Sequence, residues 1–222
     1  GFTWTVENEE FYTKGEDEVG TLKINPRAIT VVTESDEKEY DGTALTADGS
    51  IEVDWSDVEG KENVKVDLTA GEAAEVALAG SEKVTVTITG SQIPVGESEN
   101  TYEIAWGEVA ESDYAVSETV GKLKVKTSTA ELKVASADGE WTYDSEEHTK
   151  YEYTVTYGDD EPITVTIAEG ETTGTATLST GDVVTITPAE SAKVTHVSEG
   201  EVENGFTWTV ENEEFYTKGE DE

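Results

Sequence analysis

Carboxylates dominate the chemistry open to this sequence: 51 aspartates and glutamates stand against 14 lysines and arginines, two histidines and no cysteine. Without cysteine there is no thiolate nucleophile. His148 and His196 each lie in a polar strand or turn context, and no serine or aspartate is spaced to complete a triad with either. Pairs of acids resembling a glycosidase dyad arise at this composition by number alone, and no spacing singles one out. No catalytic, cofactor-binding or metal-binding residue is assigned, and the chain reads as a non-enzyme.

Three other chemistries have candidate residues. Calcium takes hard oxygen ligands, and Asp36, Asp41, Asp48, Asp144, Asp159 and Asp160 occupy turns that could offer them. None of these sits in an EF-hand loop or a glycine–aspartate nonapeptide repeat, so solvated turn acids are the competing reading. A lysine–asparagine or lysine–aspartate amide crosslink needs a lysine in a dry core. Lys23, Lys122 and Lys124 lie on terminal strand patterns, but they alternate with apolar neighbours and so point outward. Trp4, Trp55, Trp106, Trp141 and Trp208 could stack on sugars. Tryptophans at alternating strand positions more often enter a core, the reading taken for Trp106 and Trp208. Tyr151, Tyr153 and Tyr157 form a row on one strand face, expected as a partly exposed ladder.

The elements that position these residues follow from patterning. Alternation of apolar and polar residues recurs at Phe2–Val6, 51–55, 64–68, 84–88, 102–106, 151–157 and 163–167. Val19–Ile24 and 28–33 add β-branched runs, and Val183–Ile186, Val194 and Val197 suggest further strands. Turn signals separate them, among them Asn25-Pro26, Asp41-Gly42 and Gly158-Asp159. Residues 70–79, rich in alanine and glutamate, are the one stretch with helix propensity, and a strand suits them equally. No long amphipathic helix is readable, so the class is all-β. An apolar fraction of 35% suits thin sandwiches with one wet face per sheet.

The organisation is repetitive. Residues 1–18, GFTWTVENEEFYTKGEDE, return letter for letter at 205–222, a displacement of 204. Within that period VGTLKI at 19–24 matches VGKLKV at 120–125, a displacement of 101. Ile29 and Tyr40 match Leu132 and Tyr143, and Tyr102, Ile104 and Trp106 match Phe206, Trp208 and Val210. The period therefore holds two divergent units of 101 and 103 residues, a size that suits immunoglobulin-like sandwiches. The expected boundaries are 1–25 for the closing strands of a preceding repeat, 26–126 for one sandwich, and 127–222 for a second sandwich without its last strand. The expected arrangement is an extended rod of these units.

The segments ITVVTESDEKEYDGTALT, TGSQIPVG and VGKLKV of the first unit, with EWTYDSEEHT and NGFTWTVENEEFYTKG of the second, resemble the tandem immunoglobulin-like and MBG-type repeats of Gram-positive surface proteins. The resemblance spans nearly the whole chain. It implies extracellular stalk material attached to a cell wall or surface, where a cysteine-free sequence is familiar. A formal net charge of −37 repels nucleic acid and anionic membrane, and it attracts cations. The expected partners are neighbouring repeats or copies of the chain itself, head to tail, with host glycan or mucin as a rival. A third expectation is a filament, in which residues 19–24 of one copy complete the second unit of another by strand addition.

Overall fold

The computed structural model describes residues 2–219. Gly1 and residues 220–222, the outermost positions of the two duplicated segments, lie outside them. Among the described residues the chain is all-β, and its only helical elements are three-residue 3₁₀ turns.

The first half contains β1 (Arg27–Thr33), β2 (Asp36–Glu39), β3 (Gly49–Val53), β4 (Val64–Leu68), β5 (Ala73–Ala77), β6 (Lys83–Ile88), β7 (Gly96–Glu99), β8 (Tyr102–Ala105), β9 (Tyr114–Thr119) and β10 (Lys122–Lys126). Three sheets result, in the orders β4-β3-β1-β9, β5-β6-β8 and β2-β10-β7. The first two face each other. Ile29, Val31, Ile51, Val53 and Leu68 from one meet Val76, Val84, Val86 and Ile88 from the other, all buried. Period-two alternation puts these residues on one face of each strand and leaves threonine, lysine and glutamate in water. Residues 70–79 resolve as strand β5 and its turns, because pairing with β6 outweighs alanine's helix preference.

A parallel ladder closes the sandwich. β1 pairs with β9 and β2 pairs with β10 at one constant offset, Arg27 opposite Tyr114 and Lys126 opposite Glu39. The ladder is interrupted between Thr33 and Asp36 on one side and between Thr119 and Lys122 on the other. Side chains carry it across the gap: Gly121 N donates to Thr33 Oγ1 (2.9 Å) and Lys122 N to Ser35 Oγ (2.9 Å). Gly121 is obligatory there, since a Cβ would lie 2.2 Å from the Glu34 carbonyl oxygen. Asn100, wholly buried, donates through Nδ2 to the Glu34 and Ala47 carbonyls (3.0 and 2.9 Å) and pins the same corner.

The second half contains β11 (Glu131–Ser136), β12 (Glu152–Tyr157), β13 (Ile163–Thr166), β14 (Gly174–Thr177), β15 (Val183–Pro188), β16 (Phe206–Val210) and β17 (Thr217–Lys218). Its sheet orders, β13-β12-β11-β17 and β14-β15-β16, repeat those of the first half. The match extends to detail. Asn204 Nδ2 donates to the Ala137 and Lys150 carbonyls as Asn100 does to Glu34 and Ala47. Ser145 takes the left-handed φ of 74° where Gly42 takes 77°. A constant-type immunoglobulin domain joins its strands as ABED and CFG. The likeness therefore lies in the two-layer sandwich and not in the strand order.

Four expectations are corrected. Phe2–Val6 and Val19–Ile24 form no strand; Leu22 and Ile24 are fully exposed. A strand requires a partner, and among the described residues these segments pair with none. Tyr153 and Tyr157 are buried, not a surface ladder, because this face of β12 turns into the core. Val194 makes only an isolated bridge to His148, and Val197 sits exposed in a 3₁₀ turn.

Candidate functional site

Two places in the molecule combine polar groups with shape: the joint between the halves, and a groove on the second half. At the joint, Tyr40, Leu45, Leu123 and Val125 from the first half belong to the same buried cluster as Leu132, Tyr157, Leu178 and Tyr216 from the second. The buried Asp182 carboxyl is its polar centre. Asp182 Oδ2 accepts from Tyr40 OH (2.9 Å) and Tyr216 OH (2.5 Å), and Oδ1 accepts from Asn212 Nδ2 (2.9 Å). The Tyr40 ring lies 4.9 Å from Phe215 and edge-on to Tyr216 at 5.8 Å. Burial first, then the adjoining carboxyl, pushes the Tyr40 hydroxyl up to about 12 and raises Tyr216 as well. At the edge of the joint, Glu39 Oε2 accepts from Thr129 N (3.0 Å) and Oγ1 (2.7 Å). Gly42 approaches the Thr180 carbonyl so closely that a Cβ would lie 1.9 Å from its oxygen.

The tyrosine–carboxyl pair occurs in each half. Tyr114 OH donates to Glu82 Oε2 (2.5 Å) just as Tyr216 donates to Asp182. Both tyrosines follow a 3₁₀ turn, and both acids end the hairpin turn before β6 or β15. This pair was not read from the sequence. Its signal is an acid just before a valine-rich strand run (SEKVTV, TGDVVT) together with a tyrosine after an acidic tripeptide (ESDY, EEFY).

The groove, about 1200 Å³, is lined by Ser136, by residues 138–143 and 148–150, and by 192–197 and 200–204. Trp141 stacks on His148 at 5.0 Å with planes 11° apart, and Tyr143 faces His196 at 6.1 Å. His148 Nε2 lies 2.9 Å from Asp144 Oδ1. This brings both histidines to one site. No serine or second acid completes a hydrogen-bonded triad with either among the described residues.

The calcium candidates are dispersed. Asp41 Oδ1 accepts from Lys38 Nζ (2.6 Å) and from Thr43 N and Oγ1, and the lysine contact holds its carboxyl down at about 2. Asp36 accepts from Glu37 N, Asp48 from Ala70 N, Asp144 from Glu146 N, and Asp160 from Ser179 Oγ. They behave as turn and corner acceptors, and Asp159 is not drawn into such a set. Among the described residues no three histidines or acids gather where they could hold a metal. Lys23 lies in the unpaired N-terminal segment, and Lys122 and Lys124 point into water, Lys122 onto Glu97 Oε1 (2.5 Å). Of the tryptophans, Trp55 is buried, Trp106 and Trp208 pack half-buried on the two cores, and Trp4 and Trp141 are exposed. No family model, curated protein or solved structure matches the chain.

Proposed function

We propose that the chain is a structural repeat of a long extracellular surface stalk, built from two tandem sandwich units that are immunoglobulin-like in size and layering. The observation that carries this reading is the joint. Units tethered by a linker would show exposed, polar facing ends. Here the ends share one apolar cluster, with Asp182 taking hydrogen bonds from both sides. Such a joint fixes the angle between units, and repeating it builds length in equal steps. The charge of −37 keeps neighbouring stalks apart. The resemblance to Gram-positive surface repeats supports placement outside the cell. The test is electron microscopy of concatemers of the 204-residue period, with antibody labelling of intact cells that make the protein. Rods lengthening by a constant increment, and label on the surface, are expected. Compact particles, beads at variable spacing or label only inside the cell contradict the reading.

A glycan-binding module is the second reading. One observation favours it: Trp141, 41% exposed, stacks on His148 at the groove. A saturable hit on a glycan array that is lost in Trp141→Ala would support it.

A further inference from the structure

The outer face of the β14-β15-β16 sheet is built of threonine, and we propose that it binds the surface of ice. The inference concerns the second sandwich alone and does not rest on the stalk reading. Side chains alternate across a strand, so the residues between the buried Ala176, Val184, Ile186 and Val210 face solvent. They are Thr175 and Thr177 on β14, Val183, Thr185 and Thr187 on β15, and Thr207 and Thr209 on β16. All but Val183 are threonine and none is charged, in a chain of net charge −37. The ladder sets them in rows. Thr175 lies opposite Thr185 and Thr185 opposite Thr209, and Thr187 lies opposite Thr207.

Strand propensity alone does not account for this face. Threonine suits any half-buried strand. Yet the corresponding sheet of the first half, β5-β6-β8, carries Glu75, Lys83 and Glu103 at its outward positions, and Lys83 Nζ donates to Glu75 Oε1 (2.6 Å). Elsewhere in the first half, threonine hydroxyls bond to their neighbours. Thr30 Oγ1 lies 3.1 Å from Ser117 Oγ, and Thr89 Oγ1 lies 3.0 Å from Thr101 Oγ1. Among the described residues no such bond occupies the hydroxyl of Thr175, Thr177, Thr185, Thr187, Thr207 or Thr209, so each is left to water.

A threonine hydroxyl donates one hydrogen bond and accepts two. Branching at Cβ restricts χ1, so the hydroxyls are directed before anything binds. Strands stand about 4.8 Å apart and alternate residues about 6.7 Å along them, which sets the hydroxyls on a near-rectangular grid. Those two repeats lie close to the oxygen repeats of a prism face of ice. Waters held at this spacing sit where a growing ice layer places them, and the methyl groups fill the gaps between. A sugar asks for an aromatic face or a concave pocket. This face offers neither, since Trp208 turns inward, half-buried on the core with Lys218 over its ring. A charged partner finds nothing to pair with. An uncharged lattice complements an uncharged face on an otherwise acidic molecule.

The 222-residue chain is tested by microscopy of a seed ice crystal held in its solution just below freezing, and by the amount of protein taken up into slowly grown ice. Expected are faceted crystals and enrichment of the chain in the ice fraction. Thr185→Arg at the centre of the grid, and Thr207→Arg on the adjoining strand, should each abolish both effects. Thr85→Arg, on the corresponding sheet of the first half, should leave both intact. Circular dichroism checks that each variant folds, and two separate positions on the grid keep the test decisive should one variant misfold. Rounded crystals and exclusion of the wild-type chain from ice overturn the proposal. Activity that survives in the folded arginine variants, or that falls equally with Thr85→Arg, overturns it too. Retention on crystalline cellulose in place of ice assigns the grid to a solid polysaccharide and overturns it likewise. None of these results bears on rod length, so the stalk reading is tested apart from this one.

Discussion

At the residue scale, most of the specificity sits in a few hydroxyl–carboxyl contacts. Asp182→Ala leaves Tyr40, Tyr216 and Asn212 without their acceptor, and urea unfolding should register a loss of about 3 kcal/mol. Tyr40→Phe removes one donor and keeps the ring, so a loss of about 1.5 kcal/mol is expected. Tyr40 also sets an alkaline limit. Its hydroxyl titrates at about 12 in the folded chain and near 10 when unfolded. The protonated phenol is thus favoured by folding. Its contribution is complete below pH 10 and disappears as pH rises through about 12, a step that Tyr40→Phe should diminish in alkaline unfolding curves. Asp41 has the opposite sign. Its carboxyl is held down at about 2, so its contribution is present above the ordinary aspartate range and disappears as pH falls through about 2. Tyr153 has a different character: its hydroxyl is buried and finds no partner among the described residues. Tyr153→Phe should raise stability by about 1 kcal/mol in the same unfolding assay.

At the element scale, the duplicated 18 residues make an internal control. In both copies an asparagine takes a left-handed φ, 58° at Asn8 and 52° at Asn212, and opens the same 3₁₀ turn. In both, a lysine sits over the tryptophan ten residues before it, at 4.6 and 4.5 Å. These features are local, and sequence alone sets them. The strand Phe206–Val210 pairs with β15, whereas Phe2–Val6 is unpaired and not a strand. That difference comes from a partner far away in sequence, which is why period-two patterning located β16 and misread the N-terminal copy. Alternation also marked the face of Tyr153 and Tyr157 without saying which side is core; burial under Phe206 and Tyr216 decides that. The internal period was legible because whole strands recur. The joint was not legible, because Tyr40 and Asp182 are 142 residues apart and neither lies in a distinctive motif. Gly121 and Gly20 extend the comparison. Gly121→Val should cost about 3 kcal/mol by forcing the β2–β10 corner apart, while Gly20→Val should leave the melting temperature of the monomer unchanged.

At the scale of the whole molecule, charge and the joint act on different lengths. A chain at −37 repels its copies across solvent, and salt screens that repulsion within about 10 Å at 0.1 M. Association of copies should therefore strengthen as salt rises from low values, as read by sedimentation. The joint, by contrast, is buried, with its one carboxyl shielded inside an apolar cluster, and its geometry should be indifferent to salt. This separates the two claims, since rigidity is a property of one chain and assembly is a property of many. The central claim is that the two halves form one stiff unit. Small-angle X-ray scattering of the chain at dilution where it is monomeric tests it most directly. The account predicts a single maximum dimension, unchanged between low and high salt, and a broader distance distribution once Tyr40→Asp disrupts the contact with Asp182. A broad, salt-dependent distribution in the chain with an intact joint, unaltered by Tyr40→Asp, would contradict it.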